Sequence, residues 1–204
     1  RSIRDYWYEY KDHNGINNKD IFIRRIYDEE KNLGTCEKRA KDFENPNHVL
    51  EVCIDVRVFG SVITIKSKNK KQKETKEEKE SDNEKSITFT GPTQFQMGRS
   101  INKTNLITEQ GIGAFASSEG KENKTFRTEY KIPYAIIGFN GIINEKAAQY
   151  SRMTEEDKSL LLEGIWEGTK NLISRSKFGQ TPLLLLTIDY NEPFYIGNLR
   201  QKVK

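Results

Sequence analysis

SITFTGPTQFQMGRSIN, residues 86–102, carries the alternation on which the fold turns. Ile87, Phe89, Phe95 and Met97 share one parity, and Thr88, Thr90, Gln94 and Gln96 share the other. A period of two predicts a half-buried strand with one apolar and one polar face, and it assigns the odd positions to a core. Pro92 has no N–H to give to a ladder, so it marks an edge or a bulge. After Asn102 the chain runs through residues 100–127, rich in Gly, Ser, Thr and Asn with basic ends. A connection of that length in a compact domain is either functional or disordered.

Working back from this strand, KSKNKKQKETKEEKESDNEK at 66–85 mixes eight lysines with six acids and has almost no apolar side chain. It buries too little to offset its ordering entropy, so it reads as a mobile, solvated loop inserted in a hairpin. Before it, DVRVFGSVITIK gives a β-branched, strand-like run over 56–66, with Gly60 as a kink. Residues 36–44 and 48–54 read as helical pieces divided by Asn-Pro-Asn at 45–47. IFIRRIYDEE at 21–30 is open between strand and short helix, and HNGINN at 13–18 is turn material. Residues 1–11 place Ile3, Tyr6, Trp7 and Tyr10 at helical spacing. The chain opens at Arg1 without an initiator methionine, inside that helical pattern, so further residues are expected upstream.

Working forward, YKIPYAIIGFNGII at 130–143 is a second strand region, with Pro133 at an edge or bulge. Thr154 then caps a helix whose first turn carries Glu155, Glu156 and Asp157 against the positive end of its dipole. Leu161, Leu162, Ile165, Trp166, Thr169, Leu172 and Ile173 form its apolar stripe, and it ends near Arg175 and Gly179. PLLLLTIDY follows, a nearly continuous apolar run that predicts a buried central strand. The order is helix, insertion, strand, long loop, strand, helix, strand. With one further strand ahead of it, this becomes βαββαβ, an α+β pattern of the ferredoxin-like class that RNA-recognition modules share.

Composition limits the function classes. Of 204 residues, 34% are hydrophobic and 31% charged, and no run approaches the length needed to span a bilayer, so a membrane protein is not expected. The 34 basic and 30 acidic residues leave +4, which permits nucleic-acid binding without arguing for it. Cys36 and Cys53 form no CxxC pair, and the simplest compartment is a reducing cytosol. His13 and His48 have no neighbour at metal-ligand spacing, so neither a metal site nor a cofactor is expected.

Five segments in this order resemble the Cas-seven backbone family of type I CRISPR Cascade complexes, nearest the type I-B branch. They are RSIRDYW at 1–7, DVRVFG at 55–60, GPTQFQMGRSIN at 91–102, TFRTEYKIPYAIIGFNGIIN at 125–144 and IWEGTKNLISRSKFGQTPLLLL at 165–186. The resemblance implies a single modified RNA-recognition domain over 1–204, with an inserted helical lobe at 13–54 and the charged loop at 66–85. It also implies a thumb at 100–127 that inserts between bases. Copies would stack head to tail along a guide RNA beside other Cascade subunits, presenting the guide to target DNA, in the cytoplasm and with no membrane contact.

Holding RNA without reading its sequence takes cations along phosphates and apolar side chains against bases. Arg1 and Arg4 lie one helical turn apart, although a solvated helix face would use the same residues. Gly98, Arg99, Ser100, Asn102 and Lys103 offer a close backbone approach, charge and hydrogen bonds at the end of a strand. Ile112 and Phe115 put apolar side chains on the thumb, where a wedge between bases competes with a small satellite core. Phe126 and Arg127 close that thumb. Arg175 and Lys177 form a second basic cluster, which can equally serve the helix dipole. The competing activity class is an RNA-cleaving nuclease of related fold, which needs a positioned His, Tyr or Lys, or an Asp in a loop facing the target; the two histidines give it little support, and it stays open as the alternative. A protein-docking hook at the thumb is the third reading.

Overall fold

The computed structural model describes residues 2–14, 20–24, 36–41, 43, 45–66, 84–116, 124–192 and 197. The expected charged loop at 66–85 lies almost wholly outside them, as does Arg1. Helices and small antiparallel sheets mix along the chain, an α+β architecture in two compact units. One unit comprises Arg1–Gln94 with Ile142–Lys204, and the other Phe95–Gly141.

Among the described residues, the first unit is organised by six helices and a hairpin. Helix α1 (Ser2–Asn14) buries Tyr6 and Trp7 as its spacing predicts, and α2 is Cys36–Ala40. The Asn-Pro-Asn at 45–47 does divide two helices, and it also starts the second of them. Asn45 caps α3 (Pro46–Val52) by accepting from the His48 N–H, and Pro46 takes the first turn, where a missing N–H costs nothing.

Residues 56–59, expected to be strand, belong to helix α4 (Ile54–Phe59). The β-branched residues lose to burial on every side. Ile54 and Val58 join one core cluster with Tyr6, Trp7, Ile21 and Leu161, while Val56 joins another with Phe22, Val49, Leu50, Cys53 and Ile63. A short helix buried all round can serve two clusters, so packing overrides propensity. Gly60, at φ 74°, ends α4 and turns the chain into β1 (Gly60–Lys66). A Cβ there would meet the Phe89 carbonyl at 2.3 Å and the Gly91 nitrogen at 2.4 Å, so only glycine fits both the angle and the crossing.

Strand β1 pairs antiparallel with β2 (Glu84–Thr90), with Gly60 opposite Thr90 and Lys66 opposite Glu84, so the two strand candidates do form a hairpin. β3 (Thr93–Phe95) pairs with β8 (Gly141–Ile143). Helix α5 (Glu145–Ser151) is capped by Asn144. Helix α6 (Glu155–Lys170) carries the expected Thr154 cap as a full capping box, with the Asp157 carboxylate returning to the Thr154 N–H.

The predicted stripe of α6 is only partly its buried face: Leu161 is buried and Ile165 packs against the same cluster, but the other buried positions lie off the stripe. Asp157, Leu161, Gly164 and Gly168 are buried, whereas Ile173 lies beyond the helix end and is 87% exposed. Helix α1 presses onto the glycines. A Cβ on Gly168 would lie 2.9 Å from the Ser2 carbonyl oxygen, and one on Gly164 would lie 2.9 Å from Ile3 Cγ2 and Trp7 Nε1. The Trp7 indole donates to the Leu160 carbonyl (2.9 Å) and the Tyr6 hydroxyl to Glu163 (2.6 Å). A hydrophobic stripe cannot report the glycines on that face.

PLLLLTIDY, expected to be a buried central strand, enters no ladder among the described residues. Leu183, Leu184 and Leu186 are exposed, and Lys158 Nζ holds Asp189 at 2.7 Å. An unbroken apolar run has no period to show which neighbour it wants.

Buried charges brace the first unit. Arg57 grips Asp157 with two bonds (2.8 and 2.9 Å), and its Nη1 donates to the Leu50 and Glu51 carbonyls at 2.9 and 3.1 Å. Asp55, fully buried, accepts from the Phe22 and Ile23 N–H groups and from Arg4 Nε. Burial alone would raise the pKa of Asp20. The hydrogen bond from Arg39, the Ile21 N–H and the charges of Arg39 and Arg24 outweigh it and hold the carboxyl below its usual range. Burial, then Asp55 and Asp20, push the Cys53 thiol up to about 12, which makes it an inert core side chain.

Candidate functional site

The second unit is a pair of two-stranded ribbons. In one, β4 (Arg99–Ser100) pairs with β7 (Ile137–Gly138), placing Arg99 opposite Gly138 and Ser100 opposite Ile137. The Ile101 N–H donating to the Ile136 carbonyl (2.7 Å) extends it one way, and the Gln96 N–H donating to the Asn140 carbonyl (2.8 Å) extends it the other. From Gln96 to Arg99 is three residues, yet from Asn140 to Gly138 is two, so one extra residue is accommodated at Met97–Gly98. Such a bulge re-aims side chains. Phe95 and Met97, which parity assigned to a core, are both exposed, at 47% and 89%.

The other ribbon falls in the expected 100–127 connection. Residues 107–116 and 124–131 are strands there, not loop. β5 (Ile107–Ala116) pairs antiparallel with β6 (Lys124–Lys131), with Gly111 opposite Arg127 and Ile112 opposite Phe126. Glu109 faces Glu129 across the pair, and Lys131 bridges both carboxylates. A lysine between two acids relieves a like-charge pair that would otherwise weaken the ladder.

The predicted site residues divide between the units. Gly98, Arg99, Ser100, Asn102, Lys103, Ile112, Phe115, Phe126 and Arg127 all fall in the second. Arg99 and Lys103 are exposed. Asn102 is committed to the backbone: its Oδ1 accepts from the Ile136 N–H (2.7 Å) and the Ser100 hydroxyl (3.2 Å), while its Nδ2 donates to the Lys103 carbonyl (3.1 Å). The Ser100 hydroxyl also reaches the Asn102 carbonyl at 2.7 Å. These bonds fix the turn that presents Arg99 and Lys103. Phe115 lies in β5 beyond the register shift that follows Ile112.

Arg4, Arg175 and Lys177 belong to the first unit. Arg4 Nε bonds Asp55 at 3.1 Å, and its guanidinium lies over the Phe59 ring at 5.1 Å, so it braces α1 against α4. Arg175 and Lys177 sit in an exposed turn at 174–179, past the end of α6, so the last-turn cation that complements the dipole is Lys170. Among the described residues, no group of three or more His, Cys, Asp or Glu is placed to hold a metal ion, and no helix is long and apolar enough to cross a membrane.

Two features escaped the sequence reading. The Arg57–Asp157 pair joins positions 100 residues apart, and no local pattern announces it. Gly138, opposite Arg99, did leave a signal: a glycine inside a strand pattern marks a bulge or a close approach.

The family model described as CRISPR-associated protein Cas7 matches residues 1–203. A protein of that description from Haloferax volcanii is 28% identical over 170 residues, covering 79% of this chain. The match takes in 50% of that relative, so the chain spans about half its length.

Proposed function

The chain belongs to the CRISPR-associated protein Cas7 family, and from that premise we propose that it is a guide-RNA-binding subunit of a CRISPR effector complex. It holds single-stranded RNA by backbone charge and apolar contact, without reading sequence and without chemistry of its own. The carrying observation is the Arg99–Lys103 segment, two exposed cations at the end of a ribbon, on a turn held in place by Asn102. Exposed apolar side chains accompany them in the same unit: Met97, Ile101, Tyr134 and Phe139 are each at least 66% exposed. Cations with apolar side chains between them are what a single strand needs from a protein surface.

In this reading the β5–β6 ribbon is the thumb, with Ile112, Phe115, Phe126 and Arg127 along it, and the fold is of the ferredoxin-like RNA-recognition class. Copies stack along the guide in a type I-B Cascade in the cytoplasm, beside other subunits, and target DNA is met through the guide.

The test is fluorescence anisotropy with labelled single-stranded RNAs of unrelated sequence. The expected result is similar affinity for each, falling with salt, and weaker binding by Arg99→Ala. Sequence-dependent affinity, or an Arg99→Ala protein that binds as the parent does, overturns the reading. RNA recovered cleaved after incubation with a divalent metal moves the protein to the nuclease class.

A further inference from the structure

The β4–β7 ribbon carries two glycines with opposite surroundings. At Gly98, a Cβ would lie 2.4 Å from Phe139 Cε1, 2.7 Å from Phe139 Cζ and 2.9 Å from Ile137 Cγ2, so the aromatic ring fills the space a side chain would take. At Gly138 the nearest atoms to a Cβ would be Ile101 Cδ1 at 3.6 Å, Ile101 Cγ1 at 3.8 Å and the Arg99 carbonyl at 4.0 Å, all ordinary contact distances. Nothing inside the protein excludes a side chain there. The backbone does not ask for glycine either, because Gly138 is not among the positive-φ glycines, which among the described residues are Gly60, Gly179 and Gly197. Glycine within a strand forgoes packing and costs chain entropy. Neither sterics nor backbone angle explains this one, which leaves the room above it.

Strand parity shows what borders that room. Arg99 and Ile101 project on one side of β4, and Gly138 stands across from Arg99 on the same side. The Ile101 contacts at Gly138 agree with this placement. The face therefore offers an exposed guanidinium, a branched apolar side chain that is 73% exposed, and bare backbone between them. A guanidinium pairs with phosphate through parallel N–H groups. A flat base or sugar can lie on bare backbone beside an aliphatic flank, and a Cβ would lift it away.

We propose that this face seats one nucleotide of the bound single strand, with Arg99 on its phosphate, Ile101 against its base, and Gly138 as the floor that gives it room. Gly138 and Ile101 are thus binding residues, and Gly98 is spent on seating Phe139. The inference rests on the guide-RNA reading and adds to it the two residues that take the base.

The experiment uses the full chain and a fluorescein-labelled oligouridine, read by anisotropy over a salt series, with thermal melts alongside. Gly138→Val is expected to melt at or above the parent temperature and to lose about tenfold in affinity while keeping the parent salt slope, because its phosphate contacts remain. Gly138→Ala loses less. Ile101→Ala weakens binding severalfold with no change in melting, and it decides the matter if the valine variant does not fold. Arg99→Ala loses affinity and salt slope together. If Gly138→Val and Ile101→Ala bind as the parent does while Arg99→Ala binds weakly, the nucleotide seat is wrong and the guide-RNA reading stands. If Arg99→Ala binds as the parent does, the guide-RNA reading falls and takes the seat with it.

Discussion

Arg57 and Arg99 are the same side chain in opposite surroundings, one in each compact unit. Arg57 is 7% exposed, with two bonds to Asp157 and one to each of two carbonyls. Arg99 is exposed at the end of a two-residue strand. The units differ in the same way. The first holds both core clusters and the buried ion pairs. The second displays Met97, Ile101, Tyr130, Tyr134 and Phe139. Substitutions in the first should therefore be read in stability, and those on the β4–β7 ribbon in ligand binding.

The contrast breaks most visibly at Arg57 itself. Arg57→Ala removes the cation that faces the buried Asp157 carboxylate, and is expected to lower the unfolding free energy in urea by about 3–5 kcal/mol. Arg99→Ala should stay within about 0.5 kcal/mol of the parent. Equal losses in the two variants would erase the distinction.

Gly168→Ala comes next. Its added methyl group meets the Ser2 backbone carbonyl, which cannot swing aside as a side-chain tip can, and a loss of about 1–3 kcal/mol should register in the melt. Unchanged melting would mean that α1 is not seated on α6 at that point. Thr154→Ala removes one side of the capping box and should cost about 1 kcal/mol.

The smallest effect concerns acid. The folded pKa of Asp20 is depressed, so its contribution is present above the ordinary carboxylate range and is lost as pH falls through the lower folded value. Asp20→Asn should therefore flatten the acid limb of a stability-against-pH curve, with no change of slope near neutrality. A limb as steep as the parent's would assign acid sensitivity to other groups.

The sequence made some of this plain and hid the rest for physical reasons. Helix α1, the Thr154 cap and the β1–β2 hairpin follow from local periodicity and capping chemistry. Helix α4 does not, because Val56 and Val58 favour strand locally and only burial between two clusters makes them helical. The 100–127 stretch read as loop because its glycines and threonines weaken every local signal, although its ladder supplies the order. Arg99 and Lys103 stand out in the sequence as charge at a strand end, and the structure leaves both exposed. Gly138 was passed over because the pattern drew attention to Gly98, and only the ring of Phe139 tells the two glycines apart.

The most direct measurement is the salt dependence of single-stranded RNA binding by the parent and by the Arg99→Ala, Lys103→Ala double variant. Each lost phosphate contact should reduce the slope of log affinity against log salt by about 0.7, so the account predicts a fall of about 1.4 with melting unchanged. A double variant with the parent slope would contradict it, because the RNA would then be held elsewhere than on this ribbon.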